Sequence, residues 1–296
     1  MTVYDITARI RYDYDPPAAA GHNILRLMPA DLSGRQRLIL GQIAASPEPA
    51  ERGERLDFFG NRVTEISFRK PAATTAFTLR ARVERLAEPG ARLDLSPPLA
   101  GLATEIAGLH SLAAEAPQHF LGPSPRITHS DDIAAFARSA TARAASTHRV
   151  VKALGNALHR AMTFDATATT VDTTPAEAFR LRRGVCQDLA HVMIAGLRSL
   201  GVPAGYVSGY LRTSPPKGQP RLEGADAMHA WVRAWCGRET GWLEYDPTNA
   251  IAAGIGHVIV AYGRDYDDVC PVQGILRISG AQRSTQSVDT RPLSED

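Results

Sequence analysis

The chain has 296 residues, 44% hydrophobic and 22% charged. That is ordinary globular usage and excludes a collagen-like, coiled-coil or disordered protein. Lys and Arg number 33 against 31 Asp and Glu, a formal net charge of +2, so no strong field draws the chain to nucleic acid or to a membrane surface.

Length allows two domains at roughly 150 residues each. The opening Met1-Thr2-Val3-Tyr4-Asp5 lacks the basic region and apolar run of a cleaved signal peptide. No apolar stretch approaches the roughly 20 residues that span a bilayer. A soluble, cytoplasmic protein with reduced thiols is therefore expected.

Residues 1–90 are predicted to form a β-sandwich-like domain. Val3, Ile6 and Ile10 mix with Tyr4, Tyr12 and Tyr14 in a β-prone opening segment. Ile24 to Met28 stops at Pro29, Leu38 to Ala45 stops at Ser46-Pro47, Val63 to Phe68 alternates apolar and polar before Pro71, and Ala76 to Val83 makes another run. Gly60-Asn61, after Asp57-Phe58-Phe59, is predicted as a hairpin turn, since both residue types accept positive φ. Glu88-Pro89-Gly90 and Ser96-Pro97-Pro98 read as a linker.

The period then changes. Over 131–162, Ile133, Phe136 and Ala140 share one helical stripe, and Val151, Leu154 and Leu158 continue one further on. Ser130 is placed to cap this helix, with Asp131 and Asp132 at its positive dipole end. Pro175 to Arg182 forms a second, short helix. Residues 186–200 form an apolar one, stopped by Gly201-Val202-Pro203. Strands return at Gly205–Leu211, Ala227–Trp235, Gly241–Tyr245, His257–Ala261 and Gly274–Ile278, with Pro215-Pro216-Lys217-Gly218 as a loop. Residues 281–296 are expected to be a polar, frayed tail. The fold class is α+β: a sandwich-like domain, then a helix cluster packed on an antiparallel sheet over 91–280.

Cys186, Cys236 and Cys270 are too few and too far apart for a disulfide framework or a CxxC knuckle. Cys186 differs from the other two because it opens the apolar helix. Unpaired N–H groups and the helix dipole there favour a thiolate, which is the nucleophile; a small buried cysteine is the plain alternative. His229 sits on a predicted strand with Trp231 on its own face, placed either to take a thiol proton or to pack as a core histidine. Asp246 ends a strand before Pro247, either to orient an imidazole or to hold an Asx turn. Adjacent antiparallel strands bring positions 229 and 246 side by side.

Around these residues, Gly184-Val185-Cys186-Gln187-Asp188, Leu200-Gly201-Val202-Pro203-Ala204, Asp226 to Val232 and Tyr245-Asp246-Pro247-Thr248-Asn249 resemble the motifs of the microbial transglutaminase-like superfamily. The resemblance continues into His257-Val258 and Gly263 to Val269, and Asp57 to Asn61 resembles the β-region that precedes this core in bacterial members.

The resemblance implies a papain-like core with a Cys186–His229–Asp246 triad. It also implies thioester chemistry on a peptide or protein amide, with hydrolysis by water or transfer to an amine. Hydrolysis is favoured, because selecting an amine requires excluding water. Met228 departs from the family's small residue before the histidine and narrows the pocket. Gln187 and the Cys186 N–H are oxyanion candidates; Asp188 either orients part of the site or serves structurally by extending the helix-start electrostatics, and Trp231 and Trp242 either wall the cleft or pack as core. His191 lies about 500° round the helix from Cys186 and points away. Arg182-Arg183 either meets an acidic substrate or stays solvated.

No GxxxxGK, HExxH or GxSxG motif occurs, Gly254-Ile255-Gly256 lacks the rest of a dinucleotide fingerprint, and no dense His/Asp/Glu cluster appears. No metal or cofactor is therefore expected. The alternative from another class is a peptide-binding or scaffolding module on the same fold.

Overall fold

The computed structural model describes residues 1–87, 93–212, 227–276 and 280–293. The expected linker at Glu88-Pro89-Gly90 and the loop at Pro215–Gly218 lie outside these residues, as does the end of the expected 274–278 strand.

The first half-chain is β-structure: β1 (Thr2–Ala18), β2 (Gly21–Leu25), β3 (Gln36–Ser46), β4 (Glu51–Leu56), β5 (Arg62–Phe68) and β6 (Ala72–Arg85). Along β1 the even positions Tyr4, Ile6, Ala8 and Ile10 are buried, the period of two expected of a half-buried strand. Strand β4 carries no such signal. All six of its residues are exposed, so its pairing with β5 rather than its own composition defines it. Gly60, at φ 79°, makes the β4–β5 turn.

Then come α1 (Leu99–Ala107), a 3-10 turn (Pro117–Phe120), α2 (Asp131–Thr141), α3 (Thr147–Ala161), β7 (Thr163–Phe164), α4 (Pro175–Leu181), β8 (Arg183–Gly184) and α5 (Cys186–Ser199). Helix α1 starts directly after Pro97-Pro98, where a linker was expected. The 131–162 periodicity resolves into two helices, because Ser146 accepts the Arg149 N–H at 3.3 Å and starts α3 afresh. Ser130 holds the N-cap position of α2, but its side chain makes no capping bond.

The chain closes with β9 (Ala204–Leu211), β10 (Ala227–Trp235), β11 (Trp242–Asp246), β12 (Ile251–Ala252), β13 (His257–Gly263), α6 (Tyr266–Val269), β14 (Val272–Leu276) and β15 (Ala281–Pro292). Strands β9 to β13 build an antiparallel sheet in the order β12-β11-β10-β9-β13. Helix α5 packs on β10 and β9, and α2, α3 and α4 surround α5. This is the expected α+β arrangement. No described helix is long and apolar enough to cross a membrane.

The last two strands correct the sequence expectation. Ala281–Pro292 is not a frayed tail: it pairs antiparallel with β1 from Tyr4↔Pro292 to Asp15↔Ala281. Val272–Leu276 does not join the sheet of the core but pairs with β2. The two N-terminal sheets are thus β15-β1-β6-β3 and β14-β2-β5-β4, facing each other where Phe77 and Phe68 stand 6.3 Å apart. The tail was illegible because Ala281 to Gln286 is exposed throughout. A strand with no apolar alternation is specified by its partner, not by its own pattern.

The two halves join along the free edge of β13. The Gln36 side chain donates to the Ile259 carbonyl at 2.7 Å and accepts the Ile259 N–H at 2.8 Å. Asn61 does the same at Tyr262, 2.8 Å each way. Two buried side-chain amides therefore stand in for a neighbouring strand and satisfy an edge that would otherwise be open.

Candidate active site

Cys186 is the first residue of α5 and stays partly accessible. The helix start beneath it is fixed by Asp188, whose Oδ2 accepts the Val185 N–H at 2.8 Å and the Thr169 hydroxyl at 2.7 Å. Gly184 is needed for this approach, since a Cβ there would fall 2.5 Å from that oxygen. Burial raises the Asp188 pKa by more than those two bonds lower it. Asp188 is buried away from the cleft wall, so among its expected roles the structural one at the helix start fits.

The β10–β11 register pairs Val232 with Tyr245 and carries His229 to the end of β11. There His229 Nε2 lies 2.7 Å from Asp246 Oδ2. Cys186 and His229 line the same cleft, and the thiol helps Asp246 to raise the pKa of the imidazole. With Nε2 engaged by the carboxylate, Nδ1 is the nitrogen left for the thiol. The structure therefore brings Cys186 into one cleft with His229, which is hydrogen-bonded to Asp246.

Asp246 is fully buried and receives five donors. Its Oδ1 accepts the N–H groups of Thr248 (2.9 Å) and Asn249 (3.2 Å). Its Oδ2 accepts from His229, from Asn249 Nδ2 at 2.7 Å and from His257 Nε2 at 3.2 Å. Burial pushes its pKa up, but the bonds from His229, His257 and Asn249 outweigh that and hold it well below the usual carboxylate range. Burial works against a charged His229 too. The interactions with Asp246 and Cys186 win there, and its pKa is raised to about 10.

His257 was not assigned from sequence. Its Nδ1 accepts the Gly254 N–H at 3.2 Å, which places the proton on Nε2, aimed at Asp246. The signal was present: one titratable residue heads an otherwise apolar buried strand, Val258 to Ala261. His229, Asp246 and His257 also bring their ligand-type atoms within 4.8 Å of one another. The sequence hid this cluster by spreading it over three strands. A metal there would have to displace both His–Asp246 bonds, so hydrogen bonding already accounts for the arrangement.

A cleft of about 330 Å³ opens over Cys186 and His229, lined also by Gln187, Met228, Tyr206 and Ser208. Met228 does border the pocket, as expected. Gln187 lines it too, while its amide donates to the Val171 carbonyl at 3.2 Å. Trp231 does not: it is 0% exposed, and its indole N–H donates to Glu244 at 2.8 Å, so the suggested wall is core. Trp242 is turned to the Glu115 carbonyl and Phe120. His191 is buried, accepts the Tyr266 N–H at 3.2 Å and has its pKa pushed down to about 3, chiefly by burial. Arg182 lies over the Phe179 ring at 3.8 Å and Arg183 approaches Asp165. Cys236 is buried, which pushes its thiol up to about 12.

Residues 134–247 match the sequence model of the Transglutaminase-like superfamily, and residues 4–84 match that of the Bacterial transglutaminase-like N-terminal region. An uncharacterized protein of Mycobacterium tuberculosis is 32% identical over 99% of this chain and 94% of its own length. The chain belongs to the transglutaminase-like superfamily. An uncharacterized protein of Mycobacterium leprae is 34% identical over 91% of each chain. The fold of this transglutaminase-like protein is also that of a crystal structure named "Putative Cysteine Protease from Cytophaga hutchinsonii". The TM-score is 0.78 at 22% identity, covering 100% of this chain and 92% of that one.

Proposed function

We propose that the protein is a cysteine-dependent amide hydrolase or acyl transferase acting on peptide or protein amides, with Cys186, His229 and Asp246 as its triad. The observation that carries this reading is an accessible thiol sharing a cleft with His229, which is itself hydrogen-bonded to a fully buried carboxylate. Membership of a superfamily with cysteine-dependent members supports it.

The Cys186 thiol gives its proton to His229 Nδ1, and the sulfur attacks the amide carbonyl carbon. The oxyanion forms beside the backbone N–H of Cys186 at the start of α5. When the tetrahedral adduct collapses, the C–N bond breaks, His229 returns the proton to the departing amine, and a thioester remains. Water then attacks, giving one proton to His229. The acid leaves and Cys186 recovers its proton. An amine in place of water gives transamidation. The cleft opens to solvent along a groove, which favours water as the acceptor. A cytoplasmic setting belongs to the same proposal, because the thiol must stay reduced.

Incubation of a peptide library with the enzyme and a primary amine, read by mass spectrometry, separates cleavage, deamidation and amine addition. Iodoacetamide is expected to label Cys186 faster than Cys236 or Cys270. Equal rates at the three thiols would remove the nucleophile.

A further inference from the structure

A second cavity of about 550 Å³ lies beside the Cys186 cleft. The two share Val185, Gln187, Tyr266, Pro271 and Gln286, so they form one continuous depression with the thiol at one end. Both volumes fall in the usual range for ligand sites, roughly 300–1,000 Å³.

One wall is the β1–β15 ribbon. Ile10 faces Gln286 and Tyr12 faces Ser284 in the register. Directly opposed residues share a face, so these four side chains line the same wall. The stretch Thr169–Val171 lines it as well. It is pinned from behind: Thr169 donates to Asp188, and the Val171 carbonyl accepts from Gln187 and, at 3.0 Å, from Arg126. Asp188 thus fixes both the helix start under Cys186 and this stretch of the lining.

The lining chemistry is one-sided. No Asp, Glu, Lys or Arg among the described residues lines this cavity, in a chain that is 22% charged. The nearby Arg126 is occupied by Asp172 and Asp267. Hydroxyls and amides of Thr, Ser, Tyr and Gln alternate with Ile10, Val272 and Pro271. A charge buried against such a surface loses water and gains no partner.

We infer that this groove is the channel for the acyl-donor chain and that it takes an extended, uncharged peptide segment. This rests on the amide-hydrolase or acyl-transferase reading of Cys186. Ser284 to Gln286 covers about 10 Å at roughly 3.3 Å per residue, so the channel grips about three residues. Strand β15 is the specificity wall.

The test is the alkylation of Cys186 by tripeptidyl chloromethyl ketones bearing uncharged, Asp or Lys side chains, each rate divided by that of iodoacetamide on the same protein. The native protein is expected to favour the uncharged peptide. Ser284→Glu should shift preference toward Lys peptides and Ser284→Lys toward Asp peptides, each by roughly two- to fivefold, the scale of one solvent-exposed charge pair. A misfolded variant loses rate but gains no opposite-charge preference. Ratios that ignore both substitutions, or a native preference for charged peptides, would overturn the channel. If iodoacetamide labels Cys186 no faster than the other two cysteines, the enzymatic reading itself fails, whatever the ratios.

Discussion

Glu244 and Asp246 are two buried carboxylates two residues apart on β11, on one face of the strand, and they are held in different ways. Glu244 accepts from the Arg35 guanidinium at 2.9 Å, the Tyr262 hydroxyl at 2.9 Å and the Trp231 indole at 2.8 Å. Burial raises its pKa, and the Arg35 charge with those bonds more than offsets this, so it stays ionised below its ordinary value. Asp246 is also kept ionised, but by His229 and His257. A guanidinium keeps its proton at any working pH; an imidazole does not. The first carboxylate is locked into scaffold. The second faces a titratable imidazole that shares a cleft with the Cys186 thiol.

Substitutions along β11 and its partners break or sharpen that contrast. The largest effect belongs to Cys186→Ala, which should cut kcat on a peptide amide by roughly a millionfold with an unchanged melting temperature. Retained turnover would remove Cys186 as the nucleophile, and a variant without turnover that kept full cellular activity would decide for the peptide-binding alternative. Asp246→Asn should follow at roughly ten-thousandfold, as in triads whose imidazole loses its orienting carboxylate.

Glu244→Gln should show the reverse profile. Removing the buried partner of this half-exposed ion pair weakens hydrogen bonds to a charged group, at a cost of about 1.5–3 kcal/mol, read as a drop in melting temperature, while kcat per folded molecule changes less than for any triad variant. A large kcat loss at full stability would erase the distinction between the two carboxylates. His257→Ala should lower kcat by roughly 10- to 100-fold, the scale of one hydrogen bond to a charged group. His257→Gln, which keeps an N–H donor, should recover part of it, and recovery is what separates positioning from bulk packing.

Stability should also follow pH through His229. Its folded pKa, about 10, lies above the ordinary value near 6.5. Its contribution is therefore fully present below about pH 6.5 and is lost as pH rises through about 10. The melting-temperature gap between native protein and His229→Ala should shrink over that window; a flat gap would mean that His229 is not charged in the fold. The smallest effect is set at Arg55→Ala, which removes an exposed pair with Glu65 on the outer sheet. It should cost less than about 1 kcal/mol and leave kcat untouched.

Much of the site was legible in the sequence because its parts carry local signals. Cys186 lies two residues after Gly184 and opens an apolar helix, His229 sits in an alternating strand, and Asp246 precedes a proline. His257 was quoted but given no role, because its relation to Asp246 exists only once β13 is placed in the sheet with β10 and β9 between it and β11. Trp231 was misplaced for a related reason. Strand alternation put it on the face of His229, correctly, but said nothing of Glu244 behind it. The N-terminal strands were read from their period-two burial. Strands β4 and β15 escaped because exposed polar residues carry no period, and their neighbours alone define them.

The seam between β1 and β15 has a temporal consequence. It joins the two most distant described segments of the chain, a contact of the greatest loop-closure cost and so among the slowest to form. During synthesis Cys186, His229 and Asp246 all leave the ribosome before residue 281. A nascent chain therefore carries its reactive thiol while one wall of the adjoining groove is still missing. That wall is complete only when the late strand docks on β1.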